Sequence, residues 1–579
     1  MKKLILGALA VMCTVLYIQP VCAVLNLNIA VEGVEENIRN NVLAFLSIEQ
    51  QKNHEDLTAN LLKKLHQKAP DEIRKALQPF GYYNPVIHAE LNRDGAGWRA
   101  LYRIETGPPV LIETLDLSIR GEGSEDERLT SLKVELPLKK GDILISENYG
   151  EAKRMLLDTA LRYGYLLSGM TTSRVAVYPE KNTAEVVLHF DTGPRHYFGT
   201  VTFKQDAFKP EFLTRLVPFQ KGDPYLLSKI LLLQTTLNDI DYFDSVEITP
   251  LVERAENFEV PIEVTLIARK KHKYTLGLGY GTDTGVRGSV GWENRRVNKS
   301  GHRFRSLLRL SEIRSSITGE YQIPLRKPQT DNIVLTAGWQ KEDTDTSVSE
   351  RYFGGIRYNH MRWSWKESVY ITYEQESFDI ADESGSSNLL IPGISWTRIS
   401  ADNPMMARNG SRLYLDIRGG HDALLSDNSF IQARMQVKYI RGVTALSRVI
   451  VRAEGGSSVV DAFSSLPPSV RFFAGGDNSV RGYAYNSLGP EDEDGNVTGG
   501  KYLLAGSAEF EHTIVDNWSA AVFYDAGNAM DDFSDPLKKG FGFGIRWASP
   551  VGPIRLDLAF PEDDPDTSWR IHFIIGPDL

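Results

Sequence analysis

Few groups of residues in this chain are spaced for chemistry. There is no Gly-x-x-x-x-Gly-Lys-Ser/Thr loop to cradle phosphates and no His-Glu-x-x-His pair to hold a catalytic metal. Gly277-Leu278-Gly279-Tyr280-Gly281 is glycine-rich, but its setting is a strand, so it does not suit nucleotide binding. The acidic run from Glu491 to Asn496 imitates part of a calcium loop, yet Gly495 falls at the wrong step, and a solvated outer loop fits better. The cysteines are only Cys13 and Cys22, too few for a disulfide scaffold or a Cys-rich metal site. No enzyme, cofactor or metal is expected. What stands out is Gly475-Gly476-Asp477-Asn478-Ser479-Val480-Arg481-Gly482-Tyr483, where one arginine sits among glycines and apolar residues.

The elements that carry this stretch follow from composition and patterning. The chain has 579 residues, 42% hydrophobic and 10% aromatic, which is too apolar for a disordered chain. Its mean hydropathy of -0.27 excludes a bundle of membrane helices. Lys2 and Lys3 precede an apolar run from Leu4 to Ile18, and Gln19-Pro20-Val21-Cys22-Ala23 follows. This reads as a secretory signal over residues 1–23, cut after Ala23; a membrane span or a lipid anchor on Cys22 fits less well. Both cysteines would leave with it, and the remaining 556 residues would carry a net charge of -12. An acidic, thiol-free, exported chain argues against a nucleic-acid partner. After Ala23 no apolar run approaches the ~18–20 residues of a membrane helix, so any spanning part must be a strand barrel.

Two grammars divide the chain near residue 270. The first half repeats itself about every 80 residues. Pro137-Leu138-Lys139-Lys140-Gly141-Asp142 returns as Pro218-Phe219-Gln220-Lys221-Gly222-Asp223. Pro79-Phe80-Gly81-Tyr82 returns as Arg162-Tyr163-Gly164-Tyr165, and Ile240-Asp241-Tyr242-Phe243 takes the same place without the glycine. Glu105-Thr106-Gly107-Pro108 returns as Asp191-Thr192-Gly193-Pro194. Each unit runs strand, two helices, two strands. In the first unit Leu57, Leu61 and Leu65 share one helical face. Pro70 is expected to open a second helix, with Asp71 and Glu72 in its first turn and Ile73, Leu77 and Phe80 inward. The Gly-aromatic pair then ends it with a left-handed cap. This β-α-α-β-β repeat resembles the polypeptide-transport-associated (POTRA) domain. Three such modules are expected, over residues 24–108, 109–194 and 195–269, although the first lacks the Pro-x-x-x-Gly-Asp signature.

The second half, residues 270–579, alternates at period two. Ile431, Ala433, Met435, Val437 and Tyr439 oppose Gln432, Arg434, Gln436 and Lys438; Ile554, Leu556, Leu558 and Phe560 oppose Arg555, Asp557 and Ala559. A charged face opposite an apolar one suits a sheet with lipid outside and water inside. A soluble sandwich is the competing reading, and the many charged inward positions count against it. We read 16 antiparallel strands, the first beginning near Tyr274 and the last near Trp569. An even count puts both barrel ends on the periplasmic side with the modules. The connection from about Asp461 to Gly500 is the sixth outer loop, and its glycines and apolar residues suit a loop folded inward.

The Val480-Arg481-Gly482-Tyr483 element resembles the VRG-aromatic motif of the BamA/TamA/two-partner-secretion superfamily of outer-membrane polypeptide transporters. Two further stretches are similar: Phe523-Tyr524-Asp525-Ala526-Gly527-Asn528, and the run from Gly542 to Asp557. The resemblance implies that the sixth loop lies in the barrel lumen and that Arg481 bonds Asp525 on the wall, with Phe523 and Gly527 beside it. Three modules match the TamA branch. That implies assistance to autotransporters and other barrel proteins, and a TamB-like partner anchored in the inner membrane.

The first strand (residues 273–281, with Tyr274) carries Gly277, Gly279 and Gly281, and the last (569–575) carries Trp569, Ile571, Phe573 and Ile575 before Gly576 and Pro577. Glycine weakens strand packing and proline lacks an N–H, so a weak lateral seam is expected between them. A two-partner exporter and a passive pore are the alternative functions.

Overall fold

In the computed structural model, residues 26–575 are described, except 55, 96, 404, 551, 563, 565 and 566. The expected signal over residues 1–23, and Gly576 and Pro577, lie outside the described residues. Three small sheets precede one large one. In the first module the strands Leu27–Glu32, Val86–Asp94 and Gly97–Glu105 place the last in the middle, parallel to the first and antiparallel to the second. The second module repeats this order with Leu111–Arg120, Gly169–Tyr178 and Thr183–Asp191. The third does so with Tyr197–Lys204, Phe243–Pro250 and Glu259–Ala268. The chain forms two compact units: one holds the first two modules and part of the third, the other the rest of the third and the barrel.

The helices of the first module differ from the expectation at Pro70. They are Glu36–Phe45 and Ala59–Leu77, with a short turn at Ser47–Gln50, and Pro70 lies inside the second rather than opening one. Leu62, Leu65, Ala69, Ile73, Ala76 and Leu77 form one buried stripe that runs through the proline. Burial of that stripe outweighs the ~3 kcal/mol that an interior proline costs. Thr58 caps this helix, its hydroxyl accepting the Leu61 N–H at 3.3 Å.

The repeated motifs are architectural. Asp142 accepts the backbone N–H of Lys139 at 3.0 Å, and Asp223 accepts that of Gln220 at 2.9 Å, so each Gly-Asp signature is one self-closing turn. Gly81 and Gly164 hold left-handed backbone (φ +87° and +93°) at the helix ends. In the third module Asp241 takes that position, at φ +56°. Its carboxylate is held by Arg269 and by Arg295, the latter at 3.0 Å from a turn of the barrel. The next residue, Tyr242, donates to the Gly301 carbonyl and lies under the Arg303 guanidinium at 3.9 Å. Departure from glycine thus marks the place where the third module grips the barrel.

The large sheet has 16 antiparallel strands from His272–Gly281 to Arg570–Ile575, each paired with the next. All sixteen expected strands are present; Trp569 stands just before the last. Apolar residues on the outward face of the strands are exposed, among them Leu278 at 94%, Ile431 at 65% and Phe543 at 54%. The alternate face carries the charged residues, of which Glu509, Asp525 and Asp557 are buried. An apolar exterior around a charged interior is a lipid-facing barrel, not a sandwich. Among the described residues no helix is long and apolar enough to cross a membrane.

A Cβ at Gly164 would lie 2.6 Å from the Tyr225 carbonyl oxygen, on backbone that disfavours any side chain. Gly164→Ala is expected to cost ~1–3 kcal/mol of module stability in urea unfolding; an unchanged midpoint would contradict this.

Candidate functional site: the sixth loop and the barrel seam

The sixth outer loop joins the strands Ser447–Val460 and Tyr502–Val515. Its tip is packed inside the barrel: Val480, Arg481 and Tyr483 are buried, with Phe472, Ala474, Leu488, Leu503 and Ala529 forming a small apolar cluster around Val480 and Tyr483. Two features of the wall admit it. Period-two alternation in Lys538–Ser549 sends Phe541, Phe543 and Ile545 to the lipid side and Gly540, Gly542 and Gly544 to the lumen. A Cβ at Gly540 would lie 2.1 Å from the Arg481 carbonyl oxygen, so only glycine lets the loop backbone come this close.

Register then gathers the carboxylates. Ser507 lies opposite Asp525, which lies opposite Gly540, and Glu509 lies opposite Phe523. The Arg481 guanidinium meets Asp525 with two prongs, Nε to Oδ2 at 2.7 Å and Nη2 to Oδ1 at 2.9 Å. Its Nη1 reaches Glu509 at 2.8 Å and Asp557 at 3.0 Å, and Nη2 reaches Ser507 Oγ at 3.2 Å. The Arg481 backbone N–H also donates to Asp525, at 3.1 Å. The Phe523 ring lies 3.4 Å beneath the guanidinium carbon, a cation–π contact. Each of the five N–H donors of the guanidinium has an acceptor. Arg546 extends the network to Glu509 at 2.7 Å, Asp557 at 2.5 Å and Glu511 at 3.3 Å. Gly527 lies further up the Asp525 strand, where a Cβ would fall 2.7 Å from Ala505 Cα.

Sequence reasoning pointed to Arg481 and Asp525 and missed Glu509, Asp557 and Arg546. The signal available was the recurrence of charged residues at lumen-facing positions of consecutive strands. The Glu491–Asn496 run is an exposed turn in which Asp492 accepts the N–H groups of Asp494 (3.0 Å) and Asn496 (2.8 Å).

Between the first and last strands the pattern of pairing changes. No hydrogen-bonded ladder joins them among the described residues, whereas every other neighbour pair has one. The last strand has six residues, paired to its predecessor from Ala559↔Arg570 to Ile554↔Ile575. Its contacts with the first hairpin are local: Phe573 N–H to Thr282 Oγ at 3.1 Å, the Ile575 carbonyl to Arg287 at 3.3 Å, and the Tyr280 and Phe573 rings 6.1 Å apart. Tyr274, Leu276 and Leu278 on the first strand are 72%, 79% and 94% exposed. Gly277, Gly279 and Gly281 alternate with them on that strand, and Ile571 stands on the lipid side of the last strand.

The loop also reaches this margin, which sequence reasoning did not anticipate. The Gly482 N–H donates to His572 Nε2 at 2.9 Å, and the Asp477 N–H donates to Asp283 Oδ2 at 2.6 Å. Burial, and then the Asp477 carboxylate, push Asp283 up to about 6 from its ordinary 3.8.

Arg481→Ala would leave Asp525, Glu509 and Asp557 short of a counter-ion in a buried site, at a cost of ~3–5 kcal/mol. The folded barrel should lose its characteristic gel mobility at a lower temperature, and Arg481→Lys should not restore it, because an ammonium cannot make the two-pronged contact. Parent-like heat-modifiability of the alanine variant would contradict this. The raised Asp283 contributes stability fully below its unfolded-state value and loses it as pH rises through about 6. Asp477, His572 and Tyr485 face it, and all three remain in Asp283→Asn. The parent should therefore lose stability relative to Asp283→Asn between about pH 4 and pH 7; a constant difference would contradict it.

Residues 273–578 match the Omp85 superfamily domain, residues 28–106 the POTRA domain described as TamA domain 1, and residues 196–267 the surface antigen variable number repeat. The outer membrane protein assembly factor BamA of Nitratidesulfovibrio vulgaris is 21% identical over 531 residues, covering 86% of this chain and 66% of that protein. The BamA of Neisseria meningitidis serogroup B is 22% identical over 487 residues, covering 71% of this chain and 60% of that protein. The chain thus spans about two thirds of these relatives' length or less. The crystal structure of BamA from Haemophilus ducreyi lacking POTRA domains 1–3 superposes with a TM-score of 0.70 at 15% identity, covering 81% of this chain and 99% of that one, a likeness of fold. With the barrel match alone covering more than half its length, the chain belongs to the Omp85 superfamily, as an outer-membrane β-barrel preceded by periplasmic POTRA modules.

Proposed function

We propose that this protein is an outer-membrane assembly factor that promotes insertion and secretion of β-barrel clients, autotransporters among them. The three modules, taken as residues 24–108, 109–194 and 195–269, bind clients or a TamB-like partner anchored in the inner membrane. The observation that carries this reading is the seam. An ordinary barrel removes its edges by closing, because an unpaired strand edge in lipid leaves several N–H and C=O groups without partners. Here, among the described residues, the last strand meets the first hairpin at Tyr280, Thr282 and Arg287 rather than along a ladder. A client strand can take the first strand's vacant edge by strand addition, its main-chain groups supplying the bonds that the last strand does not.

The chain's own residues supply no chemical fuel in this scheme. Free energy comes from the client, whose strands exchange unpaired backbone for ladder bonds and bury apolar surface in lipid. The seam residues Tyr274, Gly277, Gly279, Gly281, Ile571, Phe573 and Ile575 serve as its margins, and the loop tip fixed by Arg481 lies inside the barrel beside them. The in-folded loop, with Arg481 and Tyr483 buried, and the attached modules favour an assembly factor over a passive pore, and three modules favour it over a two-partner exporter. A large constitutive conductance in planar bilayers would favour the pore.

Cysteines at Tyr280 and Phe573 provide the test. With the pair oxidised, assembly of an autotransporter barrel into membranes should fall to near the level without the protein, and reduction should restore it. Full assembly by the oxidised form would overturn the reading.

A further inference from the structure

A single carboxylate on the sixth loop reaches both margins of the seam. Asp477 Oδ1 accepts the Thr282 hydroxyl of the first hairpin at 3.0 Å and lies 2.5 Å from His572 Nδ1 on the last strand. The tautomer of His572 is fixed by its other nitrogen: Nε2 accepts the Gly482 N–H, so the ring proton sits on Nδ1 and points at Asp477. Thr282 Oγ in turn accepts the N–H of Phe573, the residue after His572. Last strand, hairpin and loop tip thus form one closed ring of hydrogen bonds, Phe573 to Thr282 to Asp477 and back to His572. His572 is fully buried and Asp477 nearly so.

We propose that Asp477 is the bolt of the seam, a positioning residue that ties the two margins together through the sixth loop. Withdrawal of the loop tip is then the step that frees the margins to part. Among the described residues the direct hydrogen bonds between the last strand and the first hairpin are Phe573 to Thr282 and Arg287 to Ile575, so the ring through Asp477 is a large part of what holds the margins. The two ends of the loop's grip have separate jobs. Arg481 anchors the loop to the wall beside the seam, through Asp525, Glu509 and Asp557, and Asp477, four residues earlier, holds the opening.

Asp283, Asp477 and His572 also bring one ligand atom each within 4.8 Å of one another, a spacing that suits a metal ion. The bonding favours the bolt. Both His572 nitrogens are engaged and Asp477 Oδ1 already meets two donors, so the cluster is satisfied by its own hydrogen bonds.

The inference rests on the reading that the seam opens, but its test does not need a client. In the full-length protein, with Cys13 and Cys22 replaced, the rate of disulfide formation between cysteines at 280 and 573 reports how long the margins stay together. Asp477→Ala should slow it about fivefold, the worth of roughly one net hydrogen bond. Asp477→Asn should restore the parent rate, because an amide oxygen accepts the same two bonds, and its N–H2 can donate to Asp283. Thr282→Val, which removes the hydroxyl while keeping the shape, should also slow it, and serves if the alanine variant does not fold. A parent-like rate in both the alanine and the valine variants would overturn the bolt. So would a rate that rises with added zinc and falls with chelator, which would make the cluster a metal site. Failure of the oxidised seam to block client assembly would sink the proposed function yet leave this measurement intact.

Discussion

A polar loop tip can be buried against a barrel wall only if each donor it carries finds an acceptor there, because burial takes those donors out of water. Arg481 meets that condition fully: five guanidinium N–H groups and its backbone N–H are matched by Asp525, Glu509, Asp557 and Ser507. Such a network adds little net stability, since desolvation offsets the attraction, but it fixes geometry, since any displaced arrangement leaves charges unpaired. The position of the sixth loop follows from it, and so does the reach of Asp477 and Gly482 to the last strand.

The lipid-facing surface and the lumen divide the same strands between them. Outward residues satisfy the membrane through apolar area, and inward ones hold a polar network that a soluble sheet would place in water. Among the described residues, ladders close the backbone at fifteen junctions; at the sixteenth, side chains and one loop do the work. A ladder must be broken bond by bond along its length, whereas a joint made by a few side chains can open when one loop moves. The third module's grip on the barrel, through Asp241 and Tyr242, is a different kind of joint, made of ion pairs and ring contacts on periplasmic turns.

Much of this was legible in sequence, for physical reasons that differ by element. The strands could be read because lipid on one side and charge on the other impose a strict period of two. The modules could be read because Gly81, Gly164 and the two Gly-Asp turns recur at positions that need special backbone. Pro70 misled, since local propensity gave way to the buried stripe of its helix. Asp525 came only from family resemblance, as nothing local distinguishes it from other lumen carboxylates. The ring around Asp477 was invisible: it joins residues 195 and 95 positions apart, and depends on how the barrel closes.

The most direct test of the central claim is to place photo-crosslinkers singly along residues 273–281, and at lumen positions on strands far from the seam, and to stall a client in mid-assembly. The account predicts strong crosslinks at alternating positions of the first strand and weak ones elsewhere. Crosslinks spread evenly around the lumen, with no preference for the first strand, would contradict it.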